Sequence, residues 1–424
     1  MKNFVEELKW RGMLHDCTPD AEQKLMEGST SGYVGFDPTS DSLHVGNLVP
    51  IMLLKHFQRC GHKPIALVGG ATGMVGDPSG KSAERNLLSM DIIRGNENAI
   101  KAQLEKFLDF EGDNAAEMVN NYDWFSGIGF LDFIRDVGKH ISVNYMMAKD
   151  SVKKRLETGI SYTEFTYQLI QGYDFLHLYK EKNCTVQIGG SDQWGNITTG
   201  TELIRRSVSG VAHAITCPLL TKSDGSKFGK SEAGNVWLDR NKTTPFQFYQ
   251  FWLNVADEDC DKLLKTFTFL EQQEIADLMA QHNEAPHLRL AQKKLAEEIT
   301  AMVHSLEDLE MAMATTQIIY GKSDKSDLEK LNPSTISTVF EGVPSVSLSK
   351  ADLLGENIVE VLSEKTNFLK SKGEARRALK ENSIAVNREK VNDELVFDES
   401  HFISNAFVLL QKGKKNFFLL KIEA

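Results

Sequence analysis

No stretch of this 424-residue sequence reaches the roughly 20 consecutive apolar residues that a membrane-spanning helix needs. No membrane partner is therefore expected. Cysteine is scarce. Cys17, Cys60, Cys184, Cys217 and Cys260 are odd in number, scattered, and never in a C-x-x-C pair. That argues against a disulfide framework and against a cysteine zinc site, and favours reduced, structural thiols. No metal-ligating set is expected. Basic residues are not in excess: 48 Lys and Arg stand against 59 Asp and Glu, a net charge of -11. A generally basic nucleic-acid coat is excluded, but not a local basic face. The opening MKNFVEELKWRGMLHD has no apolar h-region and carries acids. Neither a secretory signal nor an organellar transit peptide is expected, and the compartment expected is the cytoplasm. There is no internal repeat of fixed period. What remains, 41% hydrophobic and 25% charged, is a globular composition long enough for two or three domains.

The chain changes character along its length. Residues 1–30 read as a polar amphipathic helix, followed by a short strand from Ser31 to Phe36 that Asp37-Pro38 ends. Asn47 to Arg59 reads as a helix, with Pro50 tolerable near its first turn. Ile65 to Val68 reads as a buried strand. Strand, helix, strand at this spacing is a βαβ unit and implies a parallel sheet. A helix from Thr163 to Lys182, a strand from Thr185 to Ile188 and a helix from Gln193 continue the α/β body. Residues 244–320 are helical in pattern. Residues 321–350, rich in Ser, Asp, Lys and Pro, read as a linker. The expected organisation is a Rossmann-like parallel-sheet domain over 1–240 with an insertion at about 80–160. A helical domain over 241–320, the linker, and a small α+β domain over 351–424 complete it. The last is charge-neutral, with 12 bases and 12 acids, but 371–390 holds six bases against three acids.

Five segments carry candidate chemistry. Gly35-Phe36-Asp37-Pro38-Thr39 is followed by His44-Val45-Gly46-Asn47 at a helix start. There free N–H groups and the helix dipole suit an anion, and His44 can donate to phosphate oxygens. An ordinary helix cap with a surface histidine fits as well. Gly69 to Ser82 invites a P-loop reading, but Gly76 to Gly80 leaves three residues where that loop needs four. A strand-to-helix turn presenting Asp77, with Lys81 and Arg85 as nearby cations, fits instead. Tyr167, Gln171 and Asp174 lie at i, i+4 and i+7 on one face of an otherwise apolar helix, as the lining of a pocket would. GGSDQWGN from Gly189 follows a strand and opens a helix, where open α/β sheets take ligands. Asp192 there could hold ribose hydroxyls or an amine, and an unliganded turn is the alternative. Lys227-Phe228-Gly229-Lys230-Ser231 lies in a Gly/Ser/Asp loop whose lysines suit a polyphosphate. It too is one residue short of a P-loop, and a solvated loop is the alternative.

Together these segments resemble the bacterial tyrosyl-tRNA synthetases, which are class I aminoacyl-tRNA synthetases. His44-Val45-Gly46-Asn47 is similar to the family's HIGH signature and Lys227-Phe228-Gly229-Lys230-Ser231 to its KMSKS signature. The Tyr167/Gln171/Asp174 helix and GGSDQWGN are the parts most specific to the tyrosine enzyme. The resemblance implies an adenylating ligase that joins L-tyrosine to ATP and passes the tyrosyl group to tRNA(Tyr). ATP, accompanied by Mg2+, is a substrate, no tightly bound cofactor is implied, and the chain is expected to form a homodimer.

The resemblance also implies roles for individual residues. Tyr33 and Asp174 would hydrogen-bond the phenolic hydroxyl of tyrosine. Asp77, Tyr167 and Gln171 would hold its ammonium, and Gln193 would orient its carboxylate. Gly35, Asp37, Gly46, Asn47, Gly189 and Asp192 would contact the nucleotide, with Asp192 on its ribose. Thr39 and His44 would stabilise the γ-phosphate, and Lys81, Arg85, Lys227 and Lys230 would clamp the leaving pyrophosphate. The sequence departs from the signature at Asn47, where the family has its second histidine. Val34 cannot donate to ribose. In the last domain, Ser371 to Arg377 followed by Ile384-Ala385-Val386-Asn387 resembles an RNA-binding motif of a ribosomal small-subunit protein. Lys372, Arg376 and Arg377 would there meet RNA phosphates. The rival readings are a tryptophan-specific enzyme of the same fold and an inactive RNA-binding paralogue.

Overall fold

Strands buried on both faces read as continuous apolar runs, and the central strands here do so. Lys63–Val68 is buried from Pro64 onward, and Ser31–Phe36 buries Tyr33, Val34 and Phe36. In the computed structural model these are β3 and β2 of a six-stranded sheet of order β1-β6-β5-β2-β3-β4. The other strands are β1 (Asp16–Cys17), β4 (Glu117–Asn120), β5 (Cys184–Gly190) and β6 (His213–Cys217). All pair in parallel except β1, which runs antiparallel along β6. The structure describes every residue except 1, 80–87, 157–158, 227, 232–233, 322–324, 330–335, 337–339, 341–342, 414–415 and 424.

This sheet order fixes where a ligand can sit. From β2 the chain proceeds outward through β3 and β4 on one side, then returns to build β5 and β6 on the other. The connections leave the β2/β5 boundary in opposite directions and open a crevice at the carboxyl ends of those strands. Two helices flank it. Tyr162–Lys182 starts where Ser161 Oγ accepts from the Glu164 amide and ends at Asn183 in the left-handed conformation. Trp194–Val208 packs against it at glycine contacts. A Cβ on Gly172 would lie 3.4 Å from the Gly200 nitrogen, and one on Gly200 would lie 2.9 Å from Phe175. Helix Leu48–Arg59 admits Pro50 in its first turn, where the amide has no intrahelical partner to lose.

The described chain divides into two compact units, Met1–Asp239 with Trp252–Ile299, and Arg240–Phe251 with Thr300–Ala424. The helical segment 241–320 therefore contributes to both. Two expectations need correction. Residues 1–30 are not one helix: Phe4–Trp10 and Ala21–Met26 are separate, with β1 between them. Gly12, at φ 69°, and Thr18-Pro19 interrupt the helical path, and the sheet edge offers β1 a ladder instead. The inserted region adds β4 to the sheet, paired residue for residue with Ile65–Val68.

The second correction concerns 321–350. Its residues Ser345–Ser349 form β9, parallel to β13 (Asn416–Glu423), in a sheet of order β11-β10-β12-β13-β9. Here β10 is Ile384–Val386, β11 Glu389–Lys390 and β12 Phe407–Lys412. A small hairpin, β7 (Lys230–Ser231) with β8 (Gly234–Asn235), lies in the first unit. In the second unit, alternate residues of β12 and β13 enter two cores. Val408, Leu410, Phe418 and Leu420 pack with the helix Lys372–Lys380 on one face. Phe407, Leu409, Phe417 and Leu419 meet Leu328, Ile336, Phe340 and Val343 on the other. The apparent linker thus covers a sheet face that would otherwise be wet. Its Ser- and Pro-rich composition concealed four core residues.

Candidate active site

The crevice is floored by hydrogen-bonded polar groups from each strand end. Asp37 follows β2. Its Oδ1 accepts from Thr72 Oγ1 at 2.7 Å and its Oδ2 from Tyr167 Oη at 2.8 Å. Gly69 closes this turn. A Cβ there would lie 2.3 Å from both Asp37 Oδ1 and Thr72 Oγ1, so only glycine leaves their bond intact. Asn121 follows β4. Its amide oxygen accepts from the Ala71 amide at 2.7 Å, and its Nδ2 reaches both Thr72 Oγ1 and Asp174 Oδ2 at 3.1 Å. Trp124 Nε1 donates to Asp174 Oδ1 at 3.0 Å, with the indole stacked on His177.

Asp174 is buried, and burial pushes its carboxyl up to about 8, against the opposing hydrogen bonds from Asn121 and Trp124. Tyr33, on β2, is buried beside it, and its hydroxyl has no hydrogen-bond partner among the described residues. Burial first, and then the charge of Asp174, hold that phenol well above its usual range. An orphaned buried hydroxyl beside a carboxyl is a polar end waiting for a polar ligand group.

A second cluster lies further along the helix Tyr162–Lys182. Asp77 Oδ2 accepts from Gln193 Nε2 at 2.7 Å. Asn196 Nδ2 reaches Gln171 Oε1 at 3.1 Å and Gln193 Oε1 and Ser79 Oγ at 3.3 Å. Tyr167 is buried, while Asp77, Gln171 and Gln193 are half-buried and reachable. A carboxylate ringed by amides and a phenol suits an ammonium and a carboxylate held side by side.

At the opposite rim, His44 caps a short 3-10 turn, Val45–Asn47. Its Nδ1 accepts from the Gly46 amide at 3.0 Å, and Asn47 Oδ1 accepts from the His44 amide at 3.0 Å. The residue that departs from the signature thus closes a reciprocal cap with its oxygen. Its amide NH2 is the group left to meet a ligand. A Cβ on Gly46 would lie 2.8 Å from His44 Cε1. The lysine loop reaches the same place. Gly229, at φ 95°, lies so close that its Cβ would be 3.2 Å from the Gly46 nitrogen. The amides of Val45 and Leu238 donate to Val236 and Leu43 across the pair of segments. Lys230 begins the β7–β8 hairpin just beyond. The two lysine-and-histidine signatures, 180 residues apart in sequence, are therefore built against each other.

Thr39 and Gly35 are exposed at the end of β2, and Gly189 and Asp192 stand at the end of β5. A Cβ on Gly189 would lie 3.0 Å from Ile197. Lys81, Arg85 and Lys227 lie outside the described residues, as does the side chain of Lys230.

A family profile described as class I tRNA synthetases (W and Y) matches residues 26–321, and one for a tyrosine–tRNA ligase C-terminal domain matches 335–420. The chain belongs to the class I tRNA synthetases of tryptophan and tyrosine. Within this synthetase family it is 59% identical to a tyrosine–tRNA ligase of Flavobacterium johnsoniae over the whole of both chains. It is 57% identical to that of Parabacteroides distasonis over 99% of each. The truncated mitochondrial tyrosyl-tRNA synthetase of Aspergillus nidulans superposes with a TM-score of 0.67 at 32% identity, over 75% of this chain and 94% of that one. Five residues that hydrogen-bond in this crevice were not singled out from the sequence: Thr72, Ser79, Asn121, Trp124 and Asn196. Thr72, Ser79 and Asn196 lie inside motifs that the sequence displays. Asn121 and Trp124 sit in NNYDWF, which has no motif spacing and gains its meaning only from the position of β4.

On the second unit, Arg376 and Arg377 are exposed on the helix Lys372–Lys380. Arg376 and Lys380 line a groove with Asn382, Lys390 and Asn392. Lys372 is instead drawn into ion pairs with Glu360 and Glu364, at 2.5 and 2.9 Å.

Proposed function

We infer that this chain activates L-tyrosine with ATP and transfers the tyrosyl group to the 3′ end of tRNA(Tyr). The observation that carries the choice of amino acid is the buried Tyr33 hydroxyl, unpartnered beside Asp174. A tyrosine phenol placed there gives the Tyr33 hydroxyl its partner, whereas the phenyl ring of phenylalanine leaves that hydroxyl unpaired at a cost of about 1–3 kcal/mol.

In the first step the tyrosine carboxylate attacks the α-phosphate of ATP in line, a P–O bond forms, and the bond to the β-phosphate oxygen breaks to release pyrophosphate. In the second, a terminal ribose hydroxyl of the tRNA attacks the tyrosyl carbonyl and AMP leaves. Neither step needs a protein nucleophile, so positioning and charge stabilisation carry the chemistry. Asp77, Tyr167 and Gln171 hold the ammonium and Gln193 the carboxylate. Their clustering through Asn196 and Asp37 supports this assignment. Asp37 and Asp192 serve the nucleotide, with Gly35, Gly46 and Gly189 letting it approach the backbone. Thr39, His44 and the amide of Asn47 meet the phosphates. Lys81, Arg85, Lys227 and Lys230 take the pyrophosphate charge, and Mg2+ accompanies ATP as its counter-ion.

The exposed Arg376 and Arg377 support RNA contact by the C-terminal domain, with Lys372 steering more weakly because of its carboxylate partners. By analogy with the family, the helical residues 244–320 are assigned to the anticodon stem of the tRNA. A homodimer is supported by the apolar side chains left open on and after the helix Phe130–Asp136: Phe130 at 66% exposure, Leu131 at 78% and Val143 at 59%. Among the described residues no helix is long and apolar enough to cross a membrane, and we place the enzyme in the cytoplasm. Charging of tRNA(Tyr) with labelled tyrosine tests the whole reading, and a chain that binds the tRNA without charging it would refute it.

Tyr33→Phe gives a prediction of opposite signs. It removes an unsatisfied buried hydroxyl, so the unliganded protein should gain about 1 kcal/mol by denaturant titration. The specificity constant for tyrosine should fall roughly threefold to tenfold, the worth of one neutral hydrogen bond.

A further inference from the structure

Apart from the adenylation site, three side chains of different chemistry converge on one point. Asp257 and Cys260 lie one turn apart at the start of the helix Asp257–Phe267, and His282 lies in the last turn of the helix Gln272–Glu284. A carboxylate oxygen, the thiol sulfur and a ring nitrogen all lie within 4.8 Å of one another. Cys260 and His282 are buried, and the Asp257 carboxylate is half exposed, so the cluster opens to solvent on one side.

His282 is what makes this cluster a site rather than a coincidence. It is 1% exposed, and neither ring nitrogen has a hydrogen-bond partner among the described residues. Its Nε2 stands 3.2 Å from Asp257 Oδ1 without meeting hydrogen-bond geometry. Gln292 adds to the pattern. Its amide NH2 donates to Asp257 and toward the Val255 carbonyl, while its Oε1 is buried and unpartnered. Buried polar groups are ordinarily satisfied, and here three such atoms on two side chains are not. One cation at the centre would satisfy the imidazole, the carboxylate and the sulfur together.

We propose that Asp257, Cys260 and His282 form a binding site for a zinc-class divalent transition metal. Sulfur and nitrogen donors select such an ion over magnesium or calcium, which take oxygen. Bonds of about 2.0–2.3 Å place tetrahedral donors roughly 3.3–3.8 Å apart, so side-chain rotation of about 1 Å closes the cluster. The Gln292 oxygen is the neutral donor at hand for the fourth position. The Cys260 thiol donates to the Ala256 carbonyl at 3.4 Å, and binding transfers that proton to solvent as the S–metal bond forms. The ion would tie together two helices that carry Thr268 and Leu270 between them.

The test uses the full-length protein, treated with chelator, dialysed and titrated with cobalt(II), then with zinc(II). Binding of one equivalent is expected, with a thiolate-to-cobalt charge-transfer band that zinc(II) abolishes. The band should be absent in Cys260→Ala, present in Cys17→Ala, and weakened at least tenfold in affinity in His282→Gln. Zinc(II) should raise the thermal midpoint of the unsubstituted chain but not of His282→Gln, which keeps the test alive if Cys260→Ala does not fold. A folded chain without the band, or a band that survives in Cys260→Ala, overturns the proposal. Tyrosine-dependent pyrophosphate exchange measured on the same preparation separates that failure from failure of the synthetase reading.

Discussion

Replacing Asp174 by asparagine is expected to lower the specificity constant for tyrosine in ATP–pyrophosphate exchange by about 100-fold or more. The carboxyl is buried with two N–H donors, Asn121 Nδ2 and Trp124 Nε1, converging on its two oxygens. Asparagine offers one oxygen and turns an NH2 toward the other donor. One of the two must then be lost or the amide must rotate, each at about 1–3 kcal/mol. The phenol of the substrate meets the same inverted polarity. Unchanged tyrosine kinetics in a folded Asp174→Asn chain would remove Asp174 from the amino-acid pocket.

The same substitution carries a signature in pH. The folded carboxyl titrates at about 8, raised from an ordinary value of 3.8, so the folded chain holds a proton that the unfolded chain has released across that interval. The contribution to stability is fully present below pH 4 and is lost as pH rises to about 8. Within that window the slope from this group is up to about 1.4 kcal/mol per pH unit. Denaturant titrations from pH 5 to 8 should therefore show the stability of the unsubstituted chain falling more steeply than that of Asp174→Asn. Parallel slopes would contradict the burial argument.

The second large effect concerns Arg11, far from the chemistry. Its guanidinium is 1% exposed. It donates through Nε to Glu7 at 2.6 Å, and through its terminal nitrogens to the carbonyls of Lys265, Thr268 and Leu270 at 2.9–3.0 Å. It thereby fastens the N-terminal helix to the turn after Phe267. Arg11→Ala takes from Glu7 its only close cation among the described residues, leaving that carboxylate the Trp10 indole N–H, strips the guanidinium from three carbonyls, and is expected to cost about 3–5 kcal/mol of stability. Arg11→Lys should recover little, because a single ammonium cannot span four acceptors fixed in a planar fork. A loss below 1 kcal/mol for Arg11→Ala would mean that the N-terminal segment detaches without consequence.

Arg11 also illustrates what the sequence conceals. In WRGM it reads as a solvated charge on an amphipathic helix, and nothing local announces carbonyl partners more than 250 residues away. The βαβ start, the helix Tyr162–Lys182 and the strand end at Gly189 were legible because periodicity and turn residues are local properties. Asp77, Tyr167, Gln171, Asp174 and Gln193 lie in segments the sequence displays, Tyr33 came only from the family resemblance, and the fold brings all six to one crevice. Asn121 and Trp124 were not, because their roles depend on β4, a short edge strand of only four residues. The segment 321–350 misled for a related reason. Isolated apolar residues among serines look like a linker until a sheet face needs covering.

The central claim, an adenylating site built for a phenol, is tested most directly by ATP–pyrophosphate exchange with tyrosine, phenylalanine and tryptophan in parallel. Exchange with tyrosine alone is the result predicted by Tyr33 and Asp174 at the buried end of the crevice. Exchange driven by tryptophan, or by none of the three, would contradict it.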